Sequence, residues 1–110
     1  MQRKLEIDFS SIETLEQMHN LLKKEFGFPD FYGKNVNALI DCWSELRAVG
    51  GPGETMCDFT LQKDEPLILQ TKNLSSKKEI IINHFLVAVE AVNRWEISHK
   101  APPSLLLCPW

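Results

Sequence analysis

The chain of 110 residues is most easily approached through what it lacks. No uninterrupted apolar run, such as "LLLC" at residues 105–108, approaches the roughly 20 residues that cross a bilayer. The opening "MQRKLEIDFSSIE" alternates charged and apolar residues where a secretion signal would place an apolar block after a basic start. A cytoplasmic protein with no membrane association is expected. Cysteine is scarce: Cys42, Cys57 and Cys108 are odd in number, have no C-x-x-C spacing and lie inside or beside apolar patterns. They read as reduced core thiols, not a disulfide framework or a zinc site. His19, His84 and His99 are equally dispersed and have no ligand spacing, so no metal and no cofactor is expected. Basic excess is missing too, with 12 Lys and Arg against 15 Asp and Glu and a net charge of -3. Such a surface is poorly suited to neutralising a track of phosphates, so direct nucleic-acid binding is not expected. The pairs Lys23-Lys24 and Lys77-Lys78 fall on different predicted helices without interleaved aromatics and read as solvated helix faces. The glycine cluster "GGPG" at 50–53 follows a helix and lacks the lysine of a phosphate-binding loop, which argues against nucleotide binding.

What is present, 44% hydrophobic and 25% charged residues, fits one globular domain over residues 1–110. Leu5, Ile7 and Phe9 alternate with charged neighbours and predict a half-buried first strand. Ser10 and Glu13 have capping-box spacing, and Ile12, Leu15, Met18, Leu22 and Phe26 form an apolar stripe, so helix one is predicted over about 11–26. Gly27 and Pro29 stop it, and "FPDFYG" becomes an ordered turn. Val36, Leu39, Ile40 and Trp43 then mark the apolar side of a second helix, with Asn37, Asp41, Ser44 and Glu45 on its polar side. After the loop "AVGGPGE", Cys57, Phe59 and Leu61 alternate with polar residues and predict a short edge strand. Residues 66–70, "PLILQ", predict a strand covered on both faces. Ser76 and Glu79 repeat the capping-box spacing, and Ile82, Phe85, Leu86, Val89 and Val92 predict a long third helix. The final "LLLC" predicts a buried last strand, parallel to the one before the helix. The fold class is therefore α/β, a small, mainly parallel three-stranded sheet with three principal helices, plus an extra loop and short edge strand after helix two.

Catalytic constellations are weak. Cys57, His84 and Asp58 could supply a nucleophile and a base only if the fold gathered them, and buried Cys57 is the simpler reading. Asp41 and Glu45 share a helix face, but no nucleophile or oxyanion site accompanies them. Phe31 and Tyr32, by contrast, lie on a turn running straight into the helix that carries Asn37 and Asp41. Aromatic area and a carboxylate within about three helical turns make a binding edge; the alternative is that both aromatics cap the core.

The stretch "LLKKEFGFPDFYGKNVNALIDCW", residues 21–43, resembles the barstar family of intracellular ribonuclease inhibitors. Pro29, Tyr32, Gly33, Asn35, Ala38, Leu39, Asp41 and Cys42 carry the resemblance, which covers about a fifth of the chain closely. It implies a barstar-like fold and a non-catalytic immunity protein that blocks the active site of a cognate nuclease toxin, most naturally a ribonuclease, in a 1:1 complex. It further implies that Asp41 mimics a phosphate and that Phe31 and Tyr32 are aromatic contacts. Gly33 and Asn35 would form the helix entry, with Asn37, Ile40, Ser44 and Glu45 as surrounding contacts and Glu90 an acidic contact on the third helix. Phe31 lacks the phenol of the family's usual tyrosine, Asn37 is neutral where an acid is expected, Ile40 replaces an aromatic, and Lys34 adds positive charge. These departures imply weaker electrostatic steering and leave open a toxin that is not a ribonuclease. The segment 47–62 either widens the contact surface or is a tolerated insertion.

Overall fold

A computed structural model describes residues 3–47, 57 and 59–109. The elements are β1 (Arg3–Asp8), α1 (Leu15–Phe26), α2 (Val36–Ser44), β2 (Leu67–Lys72), a 3-10 turn (Leu74–Ser76), α3 (Glu79–Ser98) and β3 (Leu105–Pro109). All three strands are parallel, in the order β1-β2-β3. The register aligns Leu5 with Leu69 and Leu107, which puts Leu5, Ile7, Leu67, Leu69, Thr71, Leu105 and Leu107 on one face. That face joins Met18, Leu22 and Phe26 of α1, Leu39 and Trp43 of α2, and Phe85, Val89 and Val92 of α3 in one core. The α/β class and the three helices are as the sequence implies.

Burial alternates along β2, so this strand is not covered on both faces. The opposite sheet face carries Lys4, Glu6, Gln70 and Lys72, with Glu6 and Lys72 paired at 3.1 Å, and it faces water because the helices pack on the other side. The same geometry corrects the expectation for β3. Leu106 and Cys108 point to the open face and are exposed, so only Cys42 and Cys57 are core thiols.

Other corrections concern the helix starts. Asp8 accepts a bond from the Ser10 amide at 2.9 Å, and the Ile12 amide bonds back to Phe9. Residues 9–12 thus turn the chain from the sheet into the helical layer. The capping box forms one turn later, between Thr14 and Gln17, and α1 begins at Leu15. Ile12 is buried from the turn and not from the helix stripe. Ser76 is likewise spent inside the 3-10 turn, where its hydroxyl donates to Asn73, so α3 starts behind Lys78 without a side-chain cap. Lys77 is no solvated helix face: its Nζ donates to the Ser10 carbonyl at 3.0 Å and ties the two turns together. The α3 stripe is also turned from its expected setting. Ile81 and Ala88 are buried, whereas Leu86 is exposed.

The expected edge strand is reduced, among the described residues, to one parallel bridge between Arg47 and Leu61. Its alternation is nevertheless real, since Cys57 and Leu61 are buried and Phe59 packs on the core. Met56, Asp58 and the loop 48–54 lie outside the described residues. Among those described, no helix is long and apolar enough to cross a membrane.

Candidate partner-binding face

The turn between α1 and α2 is built from the inside outward. Gly27 adopts φ 71° and ends α1, and the Phe28 amide returns to the Lys23 carbonyl at 3.0 Å. Phe28 stacks on Phe26, and its ring centroid lies 4.7 Å from that of Tyr32. The Tyr32 amide donates to the Pro29 carbonyl at 3.0 Å, closing a tight turn. This turn separates the two neighbouring aromatics: Tyr32 is buried, while Phe31 stands 78% exposed. The core-capping reading therefore applies to Tyr32 and not to Phe31. Tyr32 corrects the expectation that it offers contact area, because burial makes it a support beneath the turn.

Gly33 marks a close approach. A Cβ there would meet the Asn35 amide nitrogen at 3.2 Å and the Ala38 Cβ at 3.5 Å. Asn35 caps α2, accepting from the Ala38 amide at 2.8 Å and donating to the Gly33 carbonyl at 3.3 Å. Lys34 sits between them at φ 53°.

Along α2, Leu39, Cys42 and Trp43 are buried, Ile40 is half-buried against the core, and Asn37 and Asp41 are exposed. The Ser44 hydroxyl donates to the Asp41 carbonyl at 2.8 Å, and exposed Glu45 closes the helix. Asp41 and Glu45 thus add negative charge at the helix end that already carries the negative pole of the backbone dipole. No basic residue in the last turn offsets it. Their field reaches the core: the Cys42 thiol is pushed up to about 11, first by burial and then by Glu45 and Asp41. Such charge placement works mildly against helix stability, which points to a role outside the fold.

Of the expected contact residues, Phe31, Gly33, Asn35, Asn37, Ile40, Asp41, Ser44 and Glu45 belong to one continuous stretch of turn and helix. Glu90 is apart, exposed on α3 and paired with Arg94 at 3.0 Å. Of the Cys57, His84 and Asp58 grouping, the two described members have separate contacts. The Cys57 thiol lies 3.9 Å from the Cys42 carbonyl, the His84 ring meets His19, and Asp58 is outside the described residues.

Sequence reasoning missed two buried polar clusters at the ends of α2. At one end His19 Nδ1 lies 2.6 Å from the Tyr32 hydroxyl and His19 Nε2 lies 3.1 Å from His84 Nε2. At the other end buried Arg47 meets Glu96 at 3.0 Å and donates to the carbonyls of Glu65, Pro102 and Pro103. The available signals were a histidine on the apolar side of α1, three residues before Leu22, and a glutamate four residues after Val92 on the α3 stripe.

Comparison with known proteins bears on the family. The family model described as "Barstar (barnase inhibitor)" matches residues 2–100. A curated protein of Bacillus subtilis (strain 168), named "Putative ribonuclease inhibitor YrdF", is 45% identical over 47 residues, which cover 40% of this chain and 52% of that protein. The chain spans about half the length of this relative. With a model matching nine-tenths of its residues, the chain belongs to the barstar family.

Proposed function

We propose that the protein is a non-catalytic inhibitor that lays α2 into the active site of a nuclease, most directly a ribonuclease, in a 1:1 complex. The reading places it in the cytoplasm of the producing cell, as the immunity partner of a toxin. The observation that carries it is exposed Asp41 on the polar side of α2, backed by Glu45 and the helix C-terminus and followed back along the chain to the exposed ring of Phe31. A ribonuclease active site gathers positive charge to hold phosphates. A carboxylate on a rigid, well-anchored helix can take the phosphate position through charge-assisted hydrogen bonds and keep RNA out. Phe31 would supply aromatic contact area, Asn37, Ile40 and Ser44 the surrounding contacts, and Gly33 and Asn35 the shape of the entry. Tyr32 acts from beneath, and Glu90 adds charge from α3. The family's description as a barnase inhibitor and the relative's name both support a ribonuclease.

A second reading, a toxin of another chemistry, is favoured by one observation: Asn37, exposed one turn before Asp41 on α2, is neutral, and exposed Lys34 just before the helix is positive. Both readings are tested by titrating the protein into an RNA-cleavage assay of barnase at low and high salt. Inhibition that is complete at one equivalent and weakens with salt supports the first. Unimpeded cleavage at a large excess removes barnase-type ribonucleases and favours the second.

A further inference from the structure

His19 on α1 and His84 on α3 are 65 positions apart in sequence, yet their Nε2 atoms meet at 3.1 Å with the rings nearly perpendicular, at 84°. The other His19 nitrogen is bonded to the Tyr32 hydroxyl at 2.6 Å. His19 is 1% exposed and Tyr32 is 6% exposed, whereas His84 opens onto a shallow groove lined by Val36, Ile80 and Val87. Three elements thus converge on one chain of hydrogen bonds: α1, α3 and the turn whose next residue outward is Phe31.

This chain limits how many protons it can hold. An Nε2–Nε2 bond needs one ring to donate and the other to accept. A first added proton is compatible with that bond, because the outer nitrogen of His84 or the Tyr32 oxygen can adapt. A second leaves two N–H groups facing each other at bonding distance. The surroundings oppose charge as well. Lys34 on the turn is positive, Cys42 on α2 is held neutral next to Tyr32, and Glu79, the one carboxylate lining the groove beside His84, lies at the solvent side.

We propose that the His19–His84 pair positions the Phe31 turn for its partner, locking Tyr32 onto α1 and α3 at neutral pH and releasing the turn, with loss of binding, on acidification. The link to binding rests on the inhibitor reading above; the latch itself does not. Burial first, then the His84 and Lys34 charges, holds His19 down to about 4, and burial lowers His84 as well. If opening restores the ordinary value of 6.5, opening of the turn becomes roughly twentyfold more favourable between pH 7 and pH 5.

The test is hydrogen exchange of the isolated protein by NMR, followed at the Tyr32 amide, which is bonded to Pro29. Its protection, corrected for intrinsic exchange, should fall roughly twentyfold from pH 7 to pH 5. His84→Gln preserves a hydrogen-bonding group but cannot charge, so its fall should be shallower. Tyr32→Phe should give low protection with little pH dependence. Constant protection in the wild type, or an identical pH curve in His84→Gln, overturns the latch. Barnase affinity is then compared between wild type and His84→Gln at pH 7 and pH 5, because the ratio cancels the titration of barnase itself. A ratio that shifts against wild type at pH 5 supports the coupling, and an unchanged ratio overturns it. Should the protection fall as expected while barnase binds at neither pH, the latch stands and the barnase-inhibitor reading fails.

Discussion

At its N-terminal end α2 is held by neutral groups: the Asn35 cap, the Tyr32 hydroxyl and the two facing imidazoles. Three residues beyond its C-terminal end the anchor is a fully formed ion, Arg47, which is 8% exposed and spends its guanidinium on Glu96 and three backbone carbonyls. Both anchors fix the same helix, but they respond differently to protons. The imidazole chain accommodates one added proton but not two, and on the latch proposed above it opens in mild acid. The other anchor is an ion pair backed by three carbonyl bonds and contains no imidazole. On the inhibitor reading proposed above, a helix pinned in this way can loosen the Phe31 turn while Asp41 keeps its place.

Breaking the charged anchor should have the largest effect. Arg47→Ala strands the Glu96 carboxylate in the core and should cost about 3–5 kcal/mol in urea unfolding. Replacing the pair together, with Arg47→Met and Glu96→Leu, should recover most of that loss; failure to recover would show that the carbonyl bonds, and not the ion pair, dominate. Between the anchors, Asp41→Ala should weaken binding to the nuclease by at least about 2 kcal/mol while moving fold stability by less than about 0.5 kcal/mol. At the neutral anchor, Tyr32→Phe leaves a buried His19 nitrogen without its partner and should cost about 1–2 kcal/mol. The imidazoles also set a direction with pH. Their native values lie below the unfolded value of 6.5, so the unfolded chain holds more protons in the window from 6.5 down to about 4. Stability from the neutral cluster is therefore full above that window and declines as pH falls through it, which chemical unfolding at pH 7 and pH 5 will measure. Loss of the caps should be smallest. Asn35→Ala and Thr14→Ala should each cost about 1 kcal/mol, while Ser10→Ala should stay within about 0.5 kcal/mol because Ser10 caps no helix.

Periodicity made the three helices, the three strands and the polar side of α2 legible, because those features depend on local spacing. The starts of α1 and α3 were not, because Ser10 and Ser76 have capping spacing but tertiary contacts draw them into turns: the Asp8 carboxylate holds the Ser10 amide, and Ser76 donates to Asn73. Helices packed on one side of the sheet explain why Leu106 and Cys108, apolar in sequence, are exposed. For the candidate site, the order of Phe31, Asn35 and Asp41 was readable, but the division of labour between Phe31 and Tyr32 was not. That division follows from the Pro29–Tyr32 turn and from a hydroxyl bond to a residue 13 positions earlier. Arg47 and Glu96, 49 positions apart, give no local pattern at all.

The central claim, that α2 blocks a nuclease through Asp41, is tested most directly by inhibition of barnase RNA cleavage with wild type, Asp41→Ala and Gln70→Ala, the last on the open sheet face. The account predicts that wild type and Gln70→Ala inhibit at one equivalent and that Asp41→Ala needs at least about thirtyfold more protein. Equal inhibition by wild type and Asp41→Ala, or a loss confined to Gln70→Ala, would contradict it.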